Sequence, residues 1–160
     1  MNRLGIALFA FLLFPGGCKD LGSEPTPYQL TDDIREAVFR QMFQTPPSGS
    51  YGDVSAYYLS FCTLDSLGVP RNRQDPPTEF LTRFRGFPLP VKMGSECHSY
   101  PLVDINTGEP GMWFYVGSLE VLDENTVRVG AGDAFCLARY YLTRNGGVWT
   151  VTRWGIIWIS

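Results

Sequence analysis

The chain has 160 residues, 44% of them hydrophobic and 18% charged, with a formal charge of -3. That length suits one ordinary domain with a tail, and the composition excludes a chain disordered throughout. With no basic run, it carries no electrostatic footprint for nucleic acid.

Met1-Asn2-Arg3 makes a short basic start, and Leu4 to Phe14 is an apolar run interrupted only by Gly5. A membrane-spanning helix needs about twenty such residues, so residues 1–17 are predicted to be a cleavable export signal instead. Gly16-Gly17-Cys18 is similar to the lipobox of bacterial lipoproteins, although Pro15 stands where that pattern usually has leucine. The resemblance implies that Cys18 is acylated. The polar, proline-containing stretch after it reads as a tether, so that 18–30 are the lipidated cysteine and tether, and a single domain is expected over 31–160. The expected location is the bacterial cell envelope, with the membrane as partner through the N-terminal lipid. The alternative is ordinary cleavage nearby, which leaves Cys18 a plain thiol in a secreted, soluble protein. Export permits disulfides. Of the three remaining cysteines, Cys136 falls inside a predicted strand, where a buried thiol is common, so Cys62–Cys97 is the expected pair.

Within the domain, Thr31 or Asp33 is expected to cap the first helix, with Glu36 at capping-box spacing from Asp33. Ile34, Val38 and Met42 form one row and Phe39 and Phe43 another, opposite Arg35, Glu36, Arg40 and Gln41, so one face is destined for a sheet. Pro46-Pro47 ends the helix. Residues 56–62 alternate as a strand. Residues 63–77 read as loop, Thr78 caps a short helix, and Val91-Lys92-Met93 is a short strand. Asp104 to Gly108 is a turn; it has the alternating oxygens of a calcium loop, but its glycine comes too early and the later bidentate glutamate is missing. From Gly111 onward three antiparallel strands are expected, over 111–122, 126–144 and 148–160, with the last hairpin turning at Asn145-Gly146-Gly147. Gly130-Ala131-Gly132-Asp133 reads as a bulge or bend that lets the second strand curve, not as a phosphate loop.

Catalytic signatures are sparse. His98 is the sole histidine, and in an extended segment it points away from its neighbour Cys97. There is no nucleophile elbow and no zinc spacing, so no metal or cofactor is expected. The last hairpin is more informative. Tyr140, Leu142, Trp149 and Val151 are expected on one face, the bed for the helix, continuing through Ile157 and Ile159. The other face carries Thr143, Thr150 and Thr152, and then Trp154, Ile156 and Trp158. That second apolar patch is expected to be covered by residues 63–90, by a second copy in a homodimer, or by a ligand. Arg153, expected beside Tyr140, could orient an anionic ligand there. Tyr140, Arg153, Trp154, Ile156 and Trp158 are therefore the candidate binding or interface residues.

The order helix, strand, short helix and long meander, ending Tyr141-Leu142-Thr143-Arg144-Asn145-Gly146-Gly147-Val148-Trp149-Thr150-Val151, resembles the NTF2-like, cone-shaped α+β architecture. Members of that group often close with a Gly-x-Trp-x-Val hairpin. Pro76 to Cys97 is also similar to a set of uncharacterised exported bacterial proteins. The resemblance implies an α+β domain, NTF2-like or cystatin-like, with its N-terminal helix on a curved antiparallel sheet. The catalytic Asp/His pair of enzymatic NTF2-like proteins has no matching positions. The expected function is therefore a non-catalytic envelope lipoprotein that binds a small molecule or a protein. The alternatives are a secreted NTF2-like enzyme of hydrolase or isomerase type, with Asp104 or Asp133 as general base, and a homodimerising structural protein.

Overall fold

The computed structural model describes residues 27–49 and 52–159. The expected export signal, Cys18 and the tether as far as residue 26 lie outside the described residues. Helix α1 spans Pro27–Gln44, four residues longer at its start than the Thr31 cap suggests, so residues 27–30 are helix and not tether. Proline suits a first turn because the N–H it lacks would have no helical partner there. Asp33 and Glu36 are therefore inside the helix, and both accept hydrogen bonds from Arg83 Nη1, at 2.7 and 2.8 Å.

The sheet strands are β1 (Ala56–Leu64), β2 (Pro70–Gln74), β3 (Val91–Met93), β4 (Gly111–Asp123), β5 (Thr126–Asp133), β6 (Cys136–Asn145) and β7 (Val148–Ile159). A short helix α2, Thr78–Leu81, runs into a 3-10 turn at Thr82–Phe84. The strand order is β2-β1-β4-β5-β6-β7, with β3 also beside β1. The protein is thus α+β, but the sheet is mixed and not antiparallel as expected. β1 runs parallel to both β3 and β4, because residues 65–110 form the long crossover that a parallel pair requires.

Two other expectations are corrected. The 63–77 stretch contains β2, an edge strand with little apolar character that is held by its pairing to β1. The single strand expected over 126–144 is the β5–β6 hairpin. Asp133 closes its turn by accepting the Phe135 N–H at 2.9 Å. A Cβ on Gly132 would lie 1.9 Å from the Cys136 carbonyl oxygen, so glycine is what lets the two strands meet there.

The main core lies between α1 and the sheet. Ile34, Val38, Phe39, Met42 and Phe43 are buried as expected, against Leu59, Phe80, Phe84, Phe114, Val129, Tyr140 and Leu142. Phe39 is the centre, with the rings of Phe43, Phe61, Phe80 and Phe84 at 6.1 to 6.4 Å. A second, smaller core on the outer face of the sheet holds Ala56, Tyr58, Trp113, Tyr115 and Leu137. Cys97 and Leu102, from the crossover, pack against it. That cover lies toward the β1–β4 side, whereas the outer face of β5, β6 and β7 carries mainly polar and charged side chains.

Candidate functional site

The register of β7 decides which residues meet. Tyr140 and Leu142 share the helix side with Trp149 and Val151, as expected. The pairing then shifts twice, once between Tyr141 and Leu142 and once between Leu137 and Ala138. An extra residue on one strand turns everything beyond it to the other face. Because of the first bulge, Trp154 lies opposite Tyr140 and stacks on it at 6.0 Å, on the helix side. Ile156 follows, opposite Ala138. Because of the second, Trp158 lies opposite Leu137, on the outer face. Arg153 is opposite Tyr141, not beside Tyr140, and its guanidinium sits 4.1 Å above the Tyr141 ring. The five residues expected to form one site are thus divided between the two faces of the sheet.

On the helix side Tyr140 and Trp154 pack against each other and against the main core. Tyr140 is fully buried, and burial pushes its phenol far above the ordinary range. Its hydroxyl has no hydrogen-bond partner among the described residues. Tyr140→Phe should therefore raise stability by about 1 kcal/mol, since an unmatched buried hydroxyl costs more than it returns. Urea unfolding would show this, and a loss of 1 kcal/mol or more would mean the hydroxyl has a partner.

The two carboxylates considered as general bases are both buried and both engaged in the scaffold. Asp104 Oδ2 accepts from Tyr58 Oη at 2.5 Å and Lys92 Nζ at 2.6 Å. Its Oδ1 accepts the N–H groups of Asn106 and Thr107. The Lys92 bond, followed by those of Tyr58 and the backbone, holds its carboxyl well below the usual range, the reverse of what a general base at neutral pH needs. Asp133 accepts from Ser48 N and Phe135 N on separate oxygens, pinning the 45–49 loop to the β5–β6 turn. His98 is exposed on the crossover.

Cys62 and Cys97, expected to pair, are half-buried free thiols. The Cys97 thiol donates to its neighbour's carbonyl, His98 O, at 3.3 Å. Burial pushes Cys62 up to about 12 and Cys97 up to about 11, against the opposing pull of Arg73, so neither is a ready nucleophile. Among the described residues no group of three or more His, Cys, Asp and Glu side chains could hold a metal ion.

The outer face of β5–β7 is different. Across four strands Glu120, Arg128, Tyr141 and Arg153 form one row, and Gly130, Arg139 and Gly155 form the next. Beyond them Leu137 pairs with Trp158. The β1–β2 loop folds over this surface, with Gly68 so close to Leu137 that a Cβ would lie 2.3 Å from its methyl group. Loop and sheet enclose a cleft of about 330 Å³, lined among others by Leu67, Arg128, Leu137, Arg139 and Ile157.

The acids near the cleft are engaged. Glu120 pairs with Arg128. Asp65 accepts from the Leu67 and Val69 N–H groups and from Arg71. Among the described residues, neither Arg139 nor Arg153 is in an ion pair. Burial raises the Tyr141 phenol, but Arg128, Arg153 and Arg139 outweigh it and hold the group below its ordinary value. The apolar rim is exposed: Leu67 is 81% accessible, Ile157 48% and Trp158 51%. A chain of net negative charge thus presents uncompensated cations beside exposed apolar side chains.

No family model, curated protein or solved structure matches the chain. The cleft is therefore read from its own chemistry. None of the five residues expected to form one site lines the cleft: Arg153 and Trp158 stand beside it on β7, and Leu67, Arg128, Arg139 and Ile157, which do line it, are not among the residues the sequence singles out for a site. The alternation of Arg139 and Tyr141 with buried Ala138, Tyr140 and Leu142 marks them as one outward row; only the strand register shows what they face.

Proposed function

We propose that this is a non-catalytic envelope protein, held to a membrane through acylated Cys18, that binds a small molecule in the outer-face cleft. The observation that carries the reading is that Arg139, outside any ion pair among the described residues, lines the cleft, with Arg153 beside it on β7 and exposed Ile157 and Trp158 nearby. The enzyme alternative has less support, because Asp104 and Asp133 are both engaged in holding the fold together. Helix α1 lying on one face of the sheet is in keeping with an NTF2-like arrangement, and we carry that arrangement as part of the proposal. No helix among the described residues is long and apolar enough to cross a membrane. The proposed anchor is acylated Cys18.

The test is mass spectrometry of the full-length gene product recovered from membranes. The intact mass should correspond to cleavage before Cys18 plus acyl chains, and Cys18→Ala should lose both. Under native conditions a non-covalent small-molecule adduct should accompany the protein and vanish in Arg139→Glu. An unmodified product, or an adduct indifferent to Arg139, would contradict the corresponding half of the reading.

A further inference from the structure

The cleft has a polarity along its length. At one end Arg139 lines it, and Arg153, just outside the lining, holds the diagonally adjacent position on β7. Diagonal neighbours of this kind are spaced roughly 7–8 Å apart, so two long guanidinium arms can converge on one group between them. At the other end lie Leu137 and Ile157, with Leu67 above and Trp158 beside Leu137. Gly130 and Gly155 flank Arg139 in the pairing. The Gly130 side is covered, since a Cβ there would lie 2.6 Å from Ser118 Oγ and 2.7 Å from a Leu64 methyl group, whereas a Cβ built on Gly155, beside the cleft, meets nothing within 4 Å. The ligand this surface fits is anionic at one end and apolar at the other.

The anion can be narrowed by counting donors. Each guanidinium presents a planar fork that matches two oxygens of a carboxylate or phosphate. A carboxylate satisfies one fork, whereas a phosphate monoester has three terminal oxygens and can engage both. The volume, about 330 Å³, is at the lower end of the range of roughly 300–1,000 Å³ that small-molecule sites occupy. It suits an aromatic ring or a short chain rather than a full lipid tail. The cleft is also concave, with Gly68 and Leu67 forming its overhanging wall, and a concave surface suits a discrete molecule better than the plane of a membrane.

We infer that the cleft takes a small phosphate monoester, its head held by Arg139 and Arg153 and its apolar group lying on Leu137 between Leu67, Ile157 and Trp158. This rests on the reading of the cleft as the binding site and adds the class of ligand. Arg128, already joined to Glu120, positions Tyr141 beneath Arg153.

Phenyl phosphate is the probe, titrated by calorimetry into the full chain held in zwitterionic-lipid nanodiscs. Binding should weaken about tenfold in Arg139→Ala and again in Arg153→Ala. It should also weaken about tenfold in Gly155→Val, which leaves every charge in place and has open space for its side chain. Arg85→Ala, an exposed arginine elsewhere, should bind as the unaltered protein does, and circular dichroism of each variant separates lost binding from lost fold. Inorganic phosphate should bind at least tenfold more weakly than phenyl phosphate. Equal affinity for the two would overturn the apolar half of the site. Binding to phosphatidylglycerol vesicles with no response to phenyl phosphate would overturn the small ligand in favour of a membrane surface. Silence toward phenyl phosphate, while the Arg139-dependent adduct is still found on protein from membranes, would overturn the phosphate ester and leave the binding reading standing. Absence of both would overturn the two together.

Discussion

Phe39→Ala is expected to cost about 3–5 kcal/mol, the range for removing a fully buried aromatic side chain from a packed interior. Four phenylalanine rings surround Phe39, and its own side chain is inaccessible. Truncation would leave a void that α1, lying across several strands, cannot collapse into without losing its other contacts. Small domains have roughly 5–15 kcal/mol of total stability, so the variant should be marginal or unfolded at ambient temperature. Urea unfolding should show a lower midpoint with an unchanged slope. The result also bears on function. A loss below about 1 kcal/mol would mean that the space beneath the helix is loosely filled, as a ligand cavity is, and would revive the cone-shaped pocket.

The second large effect is expected at Asp104. Four donors converge on its two oxygens, so Asp104→Asn not only removes the charge but turns an N–H₂ toward groups that are themselves donors. The variant should be clearly less stable at neutral pH, and Tyr58→Phe, which removes one of the four, should cost about 1.5–3 kcal/mol. The pH dependence has a definite sign. The folded state holds the Asp104 carboxyl below its ordinary value. Its contribution is therefore complete above the unfolded value of about 4 and is lost as pH falls through that value toward the lower folded one. The stability gap between the original protein and Asp104→Asn should narrow as pH drops below about 4. Lys92 is shifted the other way, upward through its bond to Asp104. Its contribution holds at neutral pH and is lost only in strong alkali. A gap that stays constant in acid would show that Asp104 is not stabilised as the carboxylate.

Much of the fold was legible in the sequence because it depends on local pattern. The apolar rows of α1, the alternation of residues 56–62, the short strand at 91–93 and the Asn145-Gly146-Gly147 turn all carry their structure in neighbouring residues. β2 does not. Arg71, Asn72 and Arg73 have no apolar alternation and are extended because β1 supplies the ladder. The β5–β6 turn has the sequence of a bend because Gly132-Asp133 lies inside an otherwise continuous β pattern. The deciding contact there, Gly132 against the Cys136 carbonyl, joins two strands.

The candidate site failed to show for a related reason. Alternation along β7 assigns faces only while the register is unbroken, and two bulges reverse it between Val151 and Trp158. Trp154 was thereby expected outside and lies on the core side, while Ile157 was expected on the helix side and lines the outer cleft. The apolar patch was real, but its residues belong to two surfaces. The parallel β1–β4 pairing and the loop that brings Leu67 over Leu137 are long-range arrangements with no local signature.

On the proposed function the ligand lies on the outer face of β5–β7, and the interior beneath α1 is filled by side chains. The measurement that bears on this most directly is amide mapping by nuclear magnetic resonance of the full chain during titration with phenyl phosphate. Shifts confined to residues 66–68, 128–130, 137–141 and 153–158 are the predicted result. Shifts centred on α1 and the residues around Phe39 would contradict it.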